Sequence, residues 1–219
     1  DAGRSLLRHK PAFCAALVLA AIILMAFFSS WIAPFDPHEQ VLWEARKAPW
    51  TTLEASGRFV LLGTDHLGRD LLSRIIYASQ VTLIVAFTAV AVSGVIGLFI
   101  GVIAGYFGRW VDAICMRLVD ILLAFPFELL ALAIVAATGS SLAIVIFVMA
   151  MRSWVIYARV VRAATLSIRE REYVRAAVAM GASQLRIVLV HILPNVLTPA
   201  IVIATLYVGR LILIESSLS

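Results

Sequence analysis

The amino-acid sequence predicts an all-α integral membrane protein, and three observations carry that prediction. Hydrophobic residues make up 63% of the 219 residues and charged residues 14%, against roughly 45–50% and about 25% in soluble domains. Mean hydropathy is +1.01. Several uninterrupted apolar stretches reach the length of about 20 residues that a helix needs to cross a bilayer. So few polar side chains could not cover a soluble domain of this size, and so many apolar ones exclude a disordered chain. Cys14 and Cys115 lie in or beside apolar stretches and read as packed thiols, not as a disulfide framework or metal cluster.

The first span falls at about 12–33. It is free of charge, follows Arg4, Arg8 and Lys10, and ends at the prolines of Ala33-Pro34-Phe35-Asp36-Pro37. It is longer than the apolar core of a secretory signal, about 7–15 residues. An external loop follows, so that 1–80 forms an N-terminal region. In that loop the block His66 to Tyr77 interleaves Arg69, Asp70 and Arg74 with Leu67, Leu71, Leu72, Ile75 and Ile76. This pattern predicts an amphipathic helix on the outer surface, facing another protein or forming a lid held on its own chain.

The region 81–219 forms the transmembrane core. Its first span, about 81–107, lies in a charge-free stretch between Arg74 and Arg109 and carries Ala89, Ser93, Gly97, Gly101 and Gly105 at every fourth position. Such a ridge lets a second helix approach closely, from a partner or from the same chain. The next spans, about 118–138 and 142–161, are joined by the tight turn Thr138-Gly139-Ser140-Ser141. The last covers about 196–214. Glu128 and Arg152 lie inside apolar spans, where an unpaired charge costs about 2.5–3.5 kcal/mol. Reflection through the Gly139–Ser140 turn puts position 151 opposite Glu128, so these two are expected to pair, for neutralisation or along a solute pathway. Arg210 has Glu215 five residues on, an offset poor for pairing along one helix. Arg210 is therefore expected to face a cavity or a partner and to touch solute.

Charge sets the orientation. With the N-terminus inside, the cytoplasmic segments hold Arg4, Arg8, Lys10, Arg109, Arg117, Arg159, Arg162, Arg169, Arg171, Arg175 and Arg186 against Asp1, Asp112, Glu170 and Glu172, an excess of seven positive charges. The external loop has five basic and six acidic residues. This asymmetry is the positive-inside signature, and it argues against nucleic-acid binding as the meaning of the basic excess.

The cytoplasmic loop 162–195 is too long for a plain connector. Ser167 with Glu170 reads as a capping box, and Tyr173, Ala176, Ala177 and Met180 form a stripe at helical spacing. Gly181 ends that helix, Ser183 caps the next, and Pro194 is expected to close it. A small apolar stripe of this kind suits a groove on another protein or the membrane surface. The chain has no Gly-x-x-x-x-Gly-Lys-Ser/Thr, no His-Glu-x-x-His and no Gly-x-Ser-x-Gly, and its four histidines, His9, His38, His66 and His191, are scattered. These absences disfavour a membrane enzyme or a metal centre without excluding one, and the expectation is a non-enzyme with no metal or cofactor of its own.

The run Glu172-Tyr-Val-Arg-Ala-Ala-Val-Ala-Met-Gly-Ala-Ser with Ile192-Leu-Pro-Asn195 resembles the cytoplasmic loop of ABC importer membrane subunits, commonly written Glu-Ala-Ala, three residues, Gly, nine residues, Ile-x-Leu-Pro. Ala176, Ala177, Gly181, Leu193 and Pro194 match that pattern, while Arg175 stands in place of Glu and His191 in place of Ile. Leu62-Gly-Thr-Asp-His-Leu-Gly-Arg-Asp-Leu-Leu-Ser-Arg-Ile-Ile-Tyr77, Ala33-Pro-Phe-Asp-Pro37 and Glu215-Ser-Ser-Leu-Ser219 are similar to the dipeptide/oligopeptide/nickel branch, and to the second of its two permeases. The resemblance implies a type I ABC importer transmembrane domain of six spans, the sixth expected beyond residue 219. It implies a multi-pass subunit of a bacterial inner membrane that moves small solutes by alternating access. Its partners would be a second, homologous permease, two ATPase subunits that bind ATP and magnesium, and an extracytoplasmic binding protein. Glu172, Tyr173, Arg175, Ala176, Ala177, Met180, Gly181 and Ala182 would then couple to the ATPase, Glu128, Arg152, Arg210 and Glu215 would be intramembrane or pathway charges, and Arg69, Asp70 and Arg74 would meet the binding protein. The rival reading is a secondary transporter or channel that works without an ATPase.

Overall fold

The computed structural model describes residues 10–54, 56–139 and 141–218. Arg4, Arg8, His9, Asp1, Ser140 and Ser219, all used in the sequence reading, lie outside the described residues. Two compact units divide the chain between Ile84 and Val85.

The first unit starts with helix α1 (Lys10–Phe27), followed after one residue by the short α2 (Ser29–Ile32). The buried Ser29 hydroxyl donates to Gln80 Oε1 at 2.8 Å. The prolines end the helix at Ala33, whose backbone is extended, as a residue before proline prefers. A small lobe follows, with one 3₁₀ turn (Leu42–Glu44) and a two-residue hairpin, β1 (Thr51–Thr52) against β2 (Phe59–Val60). Helix α3 then runs unbroken from Leu71 to Phe107. The separate amphipathic helix expected at 66–77 does not form. Residues 64–70 are a bridged loop, and Leu71 onward is the first turn of the membrane helix itself. Continuity wins because the helix from Leu71 carries no proline or glycine before Gly94.

In the second unit, α4 (Arg109–Ala124) and α5 (Phe127–Thr138) replace the single span expected at 118–138, and they meet at 82°. Pro126 causes the break. It lacks an amide donor and forces Phe125 into extended backbone. Ser141 caps α6 (Leu142–Arg169), accepting from the Ile144 amide at 3.3 Å. Helix α6 is the centre of the unit. Its buried Val161 and Ile168, Met149 and Tyr157, and Val155 and Ala158 enter three separate apolar clusters.

After α6 come α7 (Glu172–Ala179), α8 (Gln184–Arg186), a π-helical stretch (Ile187–Ile192) and α9 (Leu193–Leu218). The expected stop at Pro194 is absent, since Gln184–Glu215 reads as one apolar helix. The wide π turn just before Pro194 opens the ladder where the ring would otherwise meet the preceding carbonyl. The last span therefore begins a dozen residues earlier than the expected 196. Among the described residues three helices are long and apolar enough to cross a membrane, or four if the bent pair is one span, and the apolar Phe13–Phe27 is shorter.

The small-residue ridge packs inside the chain. A Cβ on Gly101 would lie 2.7 Å from the Ala158 carbonyl oxygen and from Val161 Cβ, and one on Gly105 would lie 2.7 Å from Thr165 Cβ. Helices α3 and α6 thus touch backbone to backbone along this seam, the arrangement that small-residue stripes permit in lipid.

Candidate functional site

The loop after α6 is a short helix set on a glycine turn. Ser167 does not cap it. It lies inside α6, which continues to Arg169 because Thr165 and Ile168 still have a core to enter. Helix α7 therefore starts at Glu172, with no side-chain cap on Arg171. Its end is a Schellman turn: the Gly181 amide bonds to Val178 O at 2.9 Å, the Ala182 amide to Ala177 O at 3.0 Å, and Gly181 has φ +80°. Ser183 caps α8, accepting from the Arg186 amide at 3.4 Å.

The apolar stripe of α7 divides between two faces. Val174 and Ala177 are buried, and Val174 joins Val102, Val161, Ile168, Ile187, Ile192 and Val196 in one cluster. These residues come from α3, α6, α7, the π stretch and α9, so a force on α7 reaches three long helices through close-packed side chains. The other face carries Tyr173, Ala176 and Met180, with Val178 and Leu185 beside it. Met180 is 82% exposed and Leu185 69%. Tyr173 Oη accepts from Asn195 Nδ2 at 3.3 Å, which ties α7 to the start of α9. Arg175 pairs with Glu170, and its guanidinium holds that carboxyl below the usual range. Glu172 and Ala182 flank this surface, Glu172 exposed and Ala182 half-buried.

The intramembrane charges gather elsewhere. Arg152 Nη1 donates to Glu128 Oε1 at 2.9 Å, and the guanidinium lies 4.6 Å from the Phe127 ring centroid. Both side chains, together with Arg210, line a cavity of about 290 Å³ at the Phe125–Pro126 break. Glu215, half-buried on α9, is not among its lining residues. Two further pairs join α6 to the other arm of the bent span, α4: Arg159 Nη2 to Asp120 Oδ1 at 2.6 Å, and Arg162 Nη2 to Asp112 Oδ2 at 2.5 Å. By sequence, Arg159, Arg162 and Asp112 register only as topology charges. The even spacing of Asp112, Asp120 and Glu128, eight residues apart, was the available signal.

The block around Arg69 is a polar knot within its own lobe. Asp65, its side chain 5% exposed, accepts from the Leu67 and Arg69 amides at 2.8 and 3.0 Å and from Arg69 Nε at 2.8 Å, and it also pairs with Arg74. Asp70 Oδ2 caps α3 by accepting from the Ser73 amide at 2.8 Å and its hydroxyl at 2.7 Å. Gly68 has φ +75°, and a Cβ there would strike the Val41 carbonyl, so the turn requires glycine. Burial pushes the Asp65 carboxyl up, but the Arg69 and Leu67 amides and the Arg69 guanidinium outweigh it and bring it down to about 2 from 3.8. A carboxyl depressed on folding stabilises fully above its unfolded value, near pH 3.8, and loses that contribution as pH falls through about 2. The shift corresponds to roughly 2–3 kcal/mol. Asp65→Asn is therefore expected to accelerate amide exchange of residues 64–74 strongly at neutral pH, with little difference from the native chain near pH 2. Identical exchange at neutral pH would show that the carboxylate does not hold the loop.

Comparison with known proteins places this architecture. Residues 97–219 match the family described as binding-protein-dependent transport system inner membrane component, and residues 1–49 match the N-terminal TM domain of oligopeptide transport permease C. The di/tripeptide transport system permease protein DppC of Pseudomonas aeruginosa (strain UCBPP-PA14) is 39% identical over 98% of this chain and 71% of its own length. The dipeptide permease DppC of Alkalihalophilus pseudofirmus is 38% identical over 100% and 69%. The oligopeptide permease OppC of Haemophilus influenzae is 36% identical over 100% and 69%.

Proposed function

Because the chain belongs to the binding-protein-dependent transport inner membrane component family, as an ABC peptide importer permease of the bacterial inner membrane, we propose that it converts ATPase movement into alternating access for short peptides. In this reading it pairs with a second, homologous permease. Two ATPase subunits supply the ATP and magnesium chemistry, and an extracytoplasmic protein delivers the peptide. The N-terminus and the loop 162–195 lie in the cytoplasm, where the excess of Lys and Arg over acids is concentrated. The lobe 34–70 then faces outside, where exposed parts of Arg69 and Arg74 can meet the binding protein while Asp70 is committed to capping α3.

One observation carries the proposal: α7 is anchored from behind and bare in front. Its buried Val174 is held among three long helices, while Tyr173, Val178 and Met180 stand exposed around the Gly181 turn. Apolar side chains on a cytoplasmic helix are the anchors of a helix-in-groove contact. In the assembled importer, Met180→Cys is expected to cross-link to a single-cysteine ATPase subunit, and ATP is expected to change the yield. Absence of any cross-link across a scan of the ATPase surface would remove α7 as the coupling element.

A further inference from the structure

The cavity at the Phe125–Pro126 break contains more positive than negative charge. Its three ionisable side chains are Glu128, Arg152 and Arg210, two cations and one anion within otherwise apolar walls. Arg152 is matched by Glu128 at 2.9 Å. Arg210 lies 3.4 Å from the Tyr207 hydroxyl and 5.6 Å from its ring centroid, and among the described residues no carboxylate forms a salt bridge with it. A charge at membrane depth without a counterion is costly, so the site favours a ligand that brings a carboxylate. A guanidinium is the group best shaped to receive one through two parallel hydrogen bonds.

Glu128 narrows the ligand further. Only its Oε1 is engaged by Arg152, and its side chain is 73% exposed. The backbone amide of Glu128 also bonds to that carboxylate, and the acceptor capacity left exposed repels a second anionic group and attracts an ammonium. A dianion such as phosphate is thereby disfavoured, and a ligand with one carboxylate and one ammonium fits both ends. The volume of about 290 Å³ is at the low end of small-ligand sites, about 300–1,000 Å³, which suits a short peptide. The walls come from both arms of the bent span, from α6 and from α9, so four helical segments converge on the site. Broken membrane helices are where transporters commonly place such sites.

We propose that this cavity is a cargo site for the two free termini of a short peptide, with Arg210 receiving the α-carboxylate and Glu128 the α-ammonium. The proposal rests on the peptide-importer reading and adds the residues that would recognise the peptide inside the membrane.

The test uses the complete importer in proteoliposomes, with Met151→Cys as a reporter thiol on the cavity wall, Cys14 and Cys115 replaced by Ser, and dialanine as the probe. Dialanine is expected to slow alkylation of the reporter by a neutral maleimide. Arg210→Gln and Glu128→Gln should each raise the protecting concentration about tenfold, while Arg210→Lys, which keeps the charge but not the fork, restores only part of the protection. Dialanine amide, which lacks the carboxylate, should protect about tenfold more weakly than dialanine, and Arg210→Gln should not weaken it further. Absence of protection by dialanine in the reporter protein overturns the proposal. So does an equal loss for dialanine and its amide in Arg210→Gln, which is what a merely structural role would give. ATP-driven uptake by the unsubstituted importer separates the two readings. Uptake without protection overturns the site alone, and failure of uptake overturns the importer reading together with it.

Discussion

Gly181→Val is expected to leave the chain folded in the membrane and to disconnect ATP hydrolysis from peptide uptake. The residue sits at φ +80°, where an L side chain costs about 1–2 kcal/mol and a β-branched one more. Among the described residues, no atom beyond its two chain neighbours lies within 4 Å of where a Cβ would be, so the substitution meets no described internal packing. Its cost falls on the Schellman turn that sets the direction of α7. A turn shifted by about 1.4 kcal/mol is populated about tenfold less, and a corresponding drop in peptide moved per ATP hydrolysed is expected. Gly181→Asn should retain much of the coupling, because Asn tolerates the left-handed region. Uptake and ATPase rates measured on the same proteoliposomes check this, and an unchanged ratio in the valine variant would count against the coupling role.

Gly101→Leu is expected to have the larger structural effect, a loss of folded protein from the membrane. A Cβ at this position would lie 2.7 Å from a backbone oxygen of α6 and from Val161 Cβ, and neither can rotate away as the end of a flexible side chain could. Accommodation requires α3 and α6 to separate along the seam. Overpacking typically costs about 1–3 kcal/mol, and the loss of helix contact adds to it. Gly101→Ala should act in the same direction to a smaller degree. Ala91→Leu, on an exposed face of the same helix, should be close to neutral. Thermal unfolding of the purified variants in detergent gives the comparison. A native-like midpoint for Gly101→Leu would mean that the seam is loose.

The contrast between these two glycines marks what the sequence could reveal. The turn at Gly181 was legible because a glycine between two helical stripes has few other uses. The close approach at Gly101 was legible only as a ridge. Whether it met a partner or its own chain depended on tertiary packing, which periodicity does not encode. Membrane-scale elements followed from hydropathy, but their ends did not. Pro126 broke a span that composition alone counted as continuous, while Pro194, expected to stop a helix, is carried through by a π-helical stretch. The same residue type acted oppositely because one proline forces its neighbour into extended backbone and the other follows a turn wide enough to receive it.

The charges divide in a similar way. Glu128 and Arg152 were matched by depth about the Gly139 turn, and the structure brings them to 2.9 Å. Arg159 and Arg162 were assigned to topology and are also paired, with Asp120 and Asp112 of α4. Position relative to the bilayer and partner on the neighbouring helix are independent properties, and counting Lys and Arg addresses only the first. In the block around Arg69 the alternation of charge and leucine suggested a docking helix. Burial of Asp65 and capping by Asp70 show most of that charge holding the loop to itself.

The claim on which the account depends is that this subunit works only when an ATPase drives it. Radiolabelled dipeptide uptake should be measured in proteoliposomes that contain this subunit, its partner permease, both ATPases and the binding protein. Accumulation is expected to require ATP on the side of the membrane where the ATPases sit, to stop when the ATPases are omitted, and to persist when ion gradients are collapsed. Uptake driven by an ion gradient, at an undiminished rate without the ATPase subunits, would contradict it.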